Sequence, residues 1–357
     1  MNVLSRAASG EQRHRCTVSV VVKALNEEAN IAGALESALD AVASMGGEVI
    51  LADSCSTDGT VAVASRYPVR IVQLADANQR ACGAGPQLGY QHSFGEYIYL
   101  LDGDMKLVAG FLDHALQFLK RHPQVAGVGG AVLEQNTTSM EYRERGQRAP
   151  AHLAPGLVDR LDGGGLYRRR AIEEAGYLSD RNLHSYEELD LALRLGVRRW
   201  KLWRLPMDAV THYGHDSPPY RLLRRRWETK YVWGIGELVR AAWGRPEMRL
   251  LWGAARELRL YIAVIGWWLA LLTVAMLPLA PLPRVCAVVL LALAPLLLMA
   301  ARKRSFTRAA YSVVSWCFAG AGLLRGVLRR RQPAGSPIPS VVLQEPWSAL
   351  RAVGERR

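Results

Sequence analysis

The sequence lacks any Cys-x-x-Cys pair, although five cysteines are spread over its 357 residues. Without closely spaced pairs, neither a zinc knuckle nor a disulfide framework is expected. The first 15 residues also lack the apolar core, about 7 to 15 residues long, of a cleaved secretory signal. We therefore expect an N-terminal tail over residues 1–16, followed by a domain that stays in the cytoplasm.

Two common nucleotide-binding signatures are also missing. No Gly-x-Gly-x-x-Gly follows the first predicted strand, and no Walker-type lysine motif occurs. These absences exclude the ordinary dinucleotide and P-loop ways of holding phosphates. The net charge of +13 raises the question of a nucleic-acid partner. The basic surplus, however, lies around and after apolar stretches, where it suits anionic membrane lipid better, so no nucleic acid is expected.

The last third of the sequence contains long apolar stretches. Residues 260–283 are uncharged at 24 positions, about 36 Å of helix, which exceeds a hydrocarbon core of about 30 Å. Residues 285–301 add 17 uncharged positions, and together the two stretches predict a transmembrane hairpin over residues 259–302. The third stretch, residues 309–324, has 16 positions and precedes more arginines. We favour a basic interfacial helix within residues 303–331 over a third membrane helix there.

Basic residues predict how this hairpin is oriented. Its turn carries Arg284, whereas its flanks carry Arg256, Arg259, Arg302, Lys303, Arg304 and Arg308. The positive-inside rule then predicts a multi-pass protein of the cytoplasmic (inner) membrane whose catalytic domain faces the cytoplasm.

The segments on either side of the hairpin differ in composition. Residues 219–258 interleave basic residues with tryptophans, which predicts amphipathic helices at the lipid headgroups or helices that simply pack on the first domain. Residues 332–357 are interrupted by Pro, Ser and Gly and are expected to form a tail.

Residues 17–218 are predicted to form one α/β domain. Helical patterns alternate with apolar runs typical of buried strands, at residues 17–22, 48–52, 69–73 and 96–101. Such alternation predicts a Rossmann-like, mostly parallel sheet covered on both faces, with ligands bound at the carboxyl ends of its strands.

Acidic and amide side chains follow three of these predicted strands. Asn26 and Glu27 follow the first, Asp53 the second, and Asp102 and Asp104 the fourth. These loops should converge on one crevice. Two carboxylates flanking Gly103 suit Mg²⁺ or Mn²⁺, which would bind a diphosphate at the same point.

The order of the motifs resembles that of the GT-A glycosyltransferases of the large family 2. The resemblance covers residues 18–227 and rests on residues 21–31 (VVKALNEEANI), 52–60 (ADSCSTDGT), 96–104 (ending in DGD), 163–177 (GGGLYRRRAIEEAGY), 187–195 (EELDLALRL) and 206–212, which end in a histidine. The resemblance implies a GT-A fold and a nucleotide-diphosphate sugar donor, UDP- or GDP-linked.

The resemblance also assigns roles to residues. It implies that the nucleotide is bound by Asn26, Glu27, Asp53 and Asp102. It implies that Mn²⁺ or Mg²⁺ is held by Asp102, Asp104 and His212, with His215 as a competitor for the third position.

Three carboxylates open a predicted helix: Glu187, Glu188 and Asp190. Acidic residues in a first turn are favoured by the helix dipole, which is a structural explanation for all three. By the resemblance, Glu188 corresponds to the general base that deprotonates the acceptor hydroxyl, Glu187 is its alternative, and Asp190 is the third candidate catalytic residue.

These observations predict a metal-dependent inverting glycosyltransferase. Its acceptor is expected to be a hydroxyl of a membrane-presented, polyprenyl-linked molecule in surface polysaccharide or glycoconjugate assembly, because apolar segments hold the domain at the membrane. Two alternatives remain open: transfer to polyprenyl phosphate itself, and a noncatalytic nucleotide-sugar-binding scaffold of a membrane assembly.

Overall fold

The structure is a computed structural model that describes residues 16–135, 153–214 and 218–346. The predicted N-terminal tail before Cys16, His215, and the part of the predicted C-terminal tail after residue 346 lie outside the described residues. The chain forms two compact units. The first comprises Met1–Leu183, Glu187–Asp216 and Arg331–Arg357, and the second comprises His184–Tyr186 and Ser217–Arg330.

The first unit is built on one mixed β-sheet. In chain order its described strands are β1 (Val18–Ala24), β2 (Glu48–Asp53), β3 (Arg70–Leu74), β4 (Tyr97–Asp102), β5 (Met105–Leu107), β6 (Val125–Glu134), β7 (Gly156–Val158), β8 (Gly165–Arg168), β9 (Lys201–His212) and β10 (Ser340–Gln344). Their order across the sheet is β10-β3-β2-β1-β4-β8-β6-β9-β5, with β7 also paired to β9.

Helices cover both faces of this sheet. They are α1 (Ile31–Val42), α2 (Thr60–Ala64), α3 (Ala84–Gln91), α4 (Phe111–Arg121), α5 (Arg169–Ala175) and α6 (Glu187–Val197). Alternate residues of β1 enter two separate cores: Val20 and Val22 pack with α1 and α4, while Val21 packs with α3 and α6. A strand buried on both faces needs a continuous apolar run, which explains why β1 reads Val-Ser-Val-Val-Val.

The α/β prediction is confirmed, and its four predicted strands correspond to β1 to β4. β3, β2, β1 and β4 are parallel, so their carboxyl ends share one edge. Beyond β4 the sheet becomes mixed, because β8 runs antiparallel to both β4 and β6 while β6 and β9 are parallel.

The C-terminal segment differs from the prediction of a tail over residues 332–357. Ser340–Gln344 form β10, which pairs antiparallel with the edge strand β3. The Pro, Gly and Ser residues before it break helical periodicity, but they do not prevent a short extended strand from completing a sheet edge.

The second unit is helical in its described part. Its helices are α7 (Pro219–Glu228), α8 (Gly234–Ala242), α9 (Glu247–Ala254), α10 (Glu257–Met276), α11 (Pro281–Lys303) and α12 (Phe306–Leu328), with a 3₁₀ turn at Tyr231–Trp233. By length and composition α10, α11 and α12 could each cross a membrane. The predicted third apolar stretch had 16 uncharged residues, but α12 has 23 because it includes Arg308 and Arg325. Its length therefore does not exclude a span.

Candidate active site

The loops after β1 and β2 are joined into one wall of a crevice. Asn26 adopts a left-handed conformation (φ 59°), and its side-chain oxygen accepts a hydrogen bond from the backbone N–H of Thr57 at 2.7 Å. The N–H of Glu27 donates to Thr60 Oγ1 at 2.8 Å. Both predicted nucleotide residues are thus held at the carboxyl edge of the parallel strands.

Asp53 lies at the end of β2 and is fully buried. Its carboxylate accepts hydrogen bonds from the backbone and hydroxyl of Ser56, at 3.0 and 2.5 Å, and from Gln73 Nε2 at 2.8 Å. These contacts orient the loop after β2, so Asp53 holds that loop in place at the carboxyl end of the strand.

A lysine joins two of the predicted site carboxylates. Lys23 is paired with Asp102 across β1 and β4, and its Nζ lies 2.9 Å from Asp102 Oδ1. The same Nζ lies 3.6 Å from Glu187 Oε1. Although burial opposes the charged form, Asp102, Glu187 and Glu188 raise the pKa of Lys23 well above its ordinary value. Lys23 therefore stays protonated and links the carboxylates of Asp102 and Glu187.

Glu188 sits in the first turn of α6, beside the glycine loop before β8. Its Oε1 accepts a hydrogen bond from the N–H of Gly164 at 3.1 Å. Gly164 has a φ of 89°, and a Cβ there would overlap the carbonyl oxygen of Leu100. Glycine is thus required for the loop to approach β4 and present its N–H to Glu188.

The surroundings of Glu188 raise the pKa of its carboxyl group. Loss of hydration raises its pKa, Lys23 opposes this, and the nearby carboxylates of Asp162, Glu187 and Asp102 raise it further, to about 8. A carboxylate with a pKa near neutrality can accept a proton from a substrate and release it afterwards. This property distinguishes Glu188 from an ordinary acidic residue at a helix start.

Asp190 is not brought together with these residues. It is 5% exposed, and its Oδ2 lies 2.9 Å from Arg194 Nε and 2.8 Å from Arg194 Nη2. Arg194 in turn donates to the carbonyls of Ala175 and Leu178, at 3.2 and 3.1 Å. The predicted catalytic carboxylate Asp190 therefore anchors α6 to the segment after α5.

A second cluster contains Asp104, His212 and Glu134. His212 Nε2 lies 3.2 Å from Asp104 Oδ2, and His212 Nδ1 lies 2.6 Å from Glu134 Oε2. Burial alone would lower the pKa of His212, but hydrogen bonds and charge attraction from Asp104 and Glu134 raise it to about 9. The pairing of β5 and β6 with β9 creates this cluster, since His212 is opposite Met105 on one side and Glu134 on the other.

The three predicted metal ligands are divided between these two clusters. Within the described ranges, no group of three or more His, Cys, Asp and Glu side chains is already arranged around a metal position. Asp102 is turned toward Lys23, whereas Asp104 is turned toward His212. Carboxylates plus an imidazole whose other nitrogen faces a carboxylate are nevertheless a donor set that fits Mn²⁺ or Mg²⁺.

Sequence reasoning did not identify Lys23 or Glu134. Lys23 is the next-to-last residue of β1 and Glu134 is the last residue of β6, so a rule that collects every charged residue at a strand end would have found both. The partners of Glu134 depend on the register between β6 and β9, which the sequence does not display.

Replacing Lys23 by methionine tests its role as the cation between the carboxylates. We expect the Michaelis constant for the donor to rise by about tenfold, because uncompensated carboxylates repel an anionic diphosphate. We expect kcat to change less. Lys23→Arg is the matched control that keeps the charge. A Lys23→Met enzyme with unchanged donor kinetics would contradict this role.

Comparisons with known proteins show which family this chain resembles. The model of the family described as "Glycosyl transferase family 2" matches residues 19–176. The chain is 31% identical over 216 residues to "Putative glycosyltransferase EpsE" of Bacillus subtilis (strain 168), covering 57% of this chain and 75% of that protein. It is 25% identical over 153 residues to "Probable glucomannan 4-beta-mannosyltransferase 15" of Arabidopsis thaliana, covering 39% of this chain and 28% of that protein.

A solved structure shares the fold. It is the mannosyltransferase PcManGT from Pyrobaculum calidifontis in complex with GDP-Man and Mn²⁺, with a TM-score of 0.56 and 16% identity. The similarity covers 91% of this chain and 94% of that one. At this identity the likeness is one of fold.

Proposed function

The chain belongs to glycosyl transferase family 2 and is a GT-A glycosyltransferase that uses a nucleotide sugar, and from this premise we propose which reaction it performs. The proposed reaction is the metal-dependent transfer of a sugar, with inversion, from a nucleotide-diphosphate sugar to a hydroxyl of a membrane-presented acceptor. The proposed setting is surface polysaccharide or glycoconjugate assembly. Because the chain is an enzyme of this family, the noncatalytic scaffold is set aside.

The observation that carries this proposal is the position and acidity of Glu188. Its carboxylate is oriented by the N–H of Gly164, and its surroundings raise its pKa to about 8. Lys23 connects the neighbouring Glu187 to Asp102, the residue proposed to hold the donor. The helix turn that carries the proposed base is thus connected through Lys23 to the proposed donor-binding carboxylate.

The proposed chemistry is a single displacement. The acceptor oxygen attacks the anomeric carbon, the bond from that carbon to the diphosphate oxygen breaks, and the acceptor proton moves to Glu188. The nucleoside diphosphate leaves with the bonding electron pair. One displacement on one carbon inverts its configuration.

The nucleotide is proposed to bind along the loops after β1 and β2, against Asn26, Glu27 and Asp53, with its ribose at Asp102. Asp53 is engaged by Ser56 and Gln73, so its contact with the base would require one of these partners to be exchanged. The solved relative named above holds GDP-Man, and the plant relative is named as a mannosyltransferase. GDP-mannose is therefore the first donor to test, and UDP-sugars follow because the resemblance of the motifs allows either nucleotide.

A divalent cation is proposed to bind to Asp102, Asp104 and His212. When bound, it would neutralise the negative charge that builds up on the leaving diphosphate. Glu134 holds the His212 ring in place through Nδ1, which is how carboxylates behind metal-binding histidines orient them.

Replacing Asp104 by asparagine tests this assignment. We expect the Mn²⁺ concentration needed for half-maximal activity to rise by about a hundredfold, and Glu134→Gln to raise it by about tenfold. Direct Mn²⁺ titration by electron paramagnetic resonance should follow the same order. Asp113→Asn, at an exposed position in α4, is the matched control. Equal Mn²⁺ affinity in Asp104→Asn and the control would exclude Asp104 as a ligand.

The membrane-presented acceptor is proposed because the second unit contains three helices long and apolar enough to cross a bilayer. An enzyme held there meets lipid-linked substrates at high local concentration. A truncation before α10 is a poor test, since it also removes β10 from the catalytic sheet.

The proposed function is tested with the purified full chain in lipid nanodiscs. Nucleotide release is measured for a panel of UDP- and GDP-sugars with Mn²⁺, with and without a polyprenyl-linked saccharide. We expect one donor to be turned over, and the lipid-linked acceptor to accelerate its turnover more than the same saccharide free in solution. No turnover of any donor, or equal acceleration by both acceptors, would contradict the proposal.

A further inference from the structure

The chain leaves the first unit before the three long helices and re-enters it after them. The first unit ends one of its segments at Asp216 and resumes at Arg331. In between lie α10, α11 and α12, each long enough to cross a bilayer. After them, β10 pairs with β3 within the same sheet as β1 and β2. A sheet cannot be divided by a bilayer, so the described residues 16–135, 153–214 and 331–346 lie on one side of the membrane.

Residues 331–346, the segment that re-enters the first unit, contact that unit at several points. Arg331 forms an ion pair with the fully buried Asp180. Further along, the N–H of Ile338 donates to Gln91 Oε1 at 2.8 Å, and Gln91 Nε2 donates to the carbonyl of Ile338 at 3.2 Å. Near the end, Arg70 Nε lies 2.9 Å from Glu345 Oε2. These contacts make the return part of the folded unit.

The chain leaves the first unit and re-enters it on the same side of the membrane. The helices between these two points must therefore cross the bilayer an even number of times. Three crossings would place β10 on the opposite side from β3. One of the three candidate helices therefore does not cross, if the other two do.

Contacts within the second unit identify that helix as α12. Near its N-terminus, Tyr311 meets Tyr220 of α7, with ring centroids 5.2 Å apart. In its middle, Phe318 meets Trp227 at the end of α7, at 5.6 Å. Toward its C-terminus, Gly326 packs directly on the backbone of Trp233, where any Cβ would overlap the carbonyl oxygen.

These contacts run along α12 from residue 311 to residue 326, about 22 Å of helix. The elements that it touches are short and charged. α7 carries four arginines in ten residues. α8, whose Gly236 packs against Leu323 and Gly326 of α12, has nine residues and is too short to span.

Crossing by α12 would therefore draw α7 and α8 into the hydrocarbon. Each arginine there costs about 2.5–3.5 kcal/mol on insertion scales. α8 would add the buried Glu237, whose carboxylate lies 2.7 Å from Arg329 Nη1 and 2.9 Å from His184 Nδ1. The headgroup region accepts such groups, since basic and aromatic side chains are favoured there.

α10 and α11 are less buried inside the protein than α12. In the apolar part of α11 none of the residues is buried inside the protein, and in α10 few are, whereas α12 buries 28% of its own. α10 and α11 are joined by a short turn at residues 277–280. The apolar surface of α11 that α10 and α12 leave exposed requires surrounding lipid.

We propose that α10 and α11 cross the bilayer as a hairpin and that α12 lies in the headgroup region of the leaflet facing the first unit. α7 and α8 lie with α12 in this layer, and the arginines of α7 contact lipid phosphates. This inference concerns membrane topology and does not depend on the sugar-transfer reaction proposed above.

Single-cysteine labelling in intact bacterial cells tests the proposal on the full chain. In a background without the five native cysteines, Leu279→Cys probes the α10–α11 turn and Ser305→Cys the α11–α12 turn. A variant that retains the exposed native Cys82 marks the side of the first unit. We expect a membrane-impermeant maleimide to label residue 279 in intact cells, and residues 305 and 82 after the membranes are opened.

Every other pattern overturns the proposal. Labelling of residue 305 from outside would mean that α11 and α12 form the hairpin, and labelling of neither turn would mean that no helix crosses. Nucleotide release by the same variants is measured separately in a cell-free assay. A wrong topology proposal can therefore be distinguished from an inactive enzyme.

A disulfide across β3 and β10 tests the parity argument itself. Gln73 and Val341 are opposite each other in the register, and we expect Gln73→Cys with Val341→Cys to form a disulfide in oxidised membranes of the full chain. The pair Gln73→Cys and Ser340→Cys is the matched control, because neighbouring residues point to opposite faces of a strand. Equal disulfide yields for both pairs, or no disulfide in either pair, would contradict the pairing of β10 with β3.

Discussion

Replacing Glu188 by glutamine is expected to lower kcat for hydroxyl glycosylation by about 10²–10⁴-fold. Glutamine keeps the size of the side chain and can still accept the hydrogen bond from Gly164, but it cannot take up the acceptor proton. The Michaelis constant for the donor should change little, because Lys23 and Asp102 are unaltered. Steady-state kinetics with saturating Mn²⁺ measures both quantities.

The pH profile gives a second readout of the same residue. Because burial and nearby carboxylates raise the pKa of Glu188 to about 8, the base is mostly protonated at pH 7. We therefore expect kcat/KM to rise with pH up to about 8 and then to level off. Glu188→Gln should lose this rise.

Glu187→Gln is the matched control on the same helix turn. Glu187 contacts Lys23 at 3.6 Å, and its replacement should reduce kcat much less than Glu188→Gln does. A larger loss in Glu187→Gln would identify Glu187 as the base. Retention of activity in both variants would favour polyprenyl phosphate as the acceptor, since an ionised phosphate needs no base.

Replacing Asp190 by alanine is expected to lower the free energy of unfolding by about 3–5 kcal/mol, the usual cost of removing one partner of a buried ion pair. Asp190 and Arg194 are 5% and 3% exposed, so the substitution leaves the guanidinium buried without its carboxylate. Chemical denaturation in detergent, followed by intrinsic fluorescence, measures the change.

Arg170→Met is the matched control for this stability effect. Arg170 also forms an i,i+4 ion pair, with Glu174, but its side chain is 82% exposed, and its removal should leave the unfolding transition close to that of the wild type. Where Asp190→Ala remains folded at low temperature, we expect kcat within about tenfold of the wild type, far from the loss caused by Glu188→Gln. Wild-type stability together with lost activity would instead make Asp190 a catalytic residue.

The parallel half of the fold was predictable from the sequence. Strands such as β1 and β4 are buried on both faces, so their residues are almost continuously apolar, and polar residues mark where each strand ends. For the same reason Asn26, Asp53 and Asp102 could be assigned to one edge of a sheet before their contacts were known.

The pairing of side chains inside the crevice was not predictable. Lys23 could be read as a solvated residue until the register of β1 and β4 placed it opposite Asp102. Asp190 illustrates the reverse case: its position in an acidic helix start indicated catalysis, but the packing of α6 buries it in an ion pair with Arg194.

The C-terminal segment was mispredicted because its partner is distant. β10 is five residues long and pairs with β3, some 270 residues earlier in the chain, and no local pattern records such a pairing. The length of α12 was underestimated because charge was used to bound it, although Arg308 and Arg325 lie inside the helix.

The configuration of the newly formed glycosidic bond tests the proposed single displacement by a base at Glu188 most directly. It is measured by nuclear magnetic resonance, from the anomeric coupling constant of the first product formed by the full chain from its preferred nucleotide sugar. We expect the configuration opposite to that of the donor, formed by the wild type and about 10²–10⁴-fold more slowly by Glu188→Gln. A product that retains the donor's configuration would contradict the mechanism.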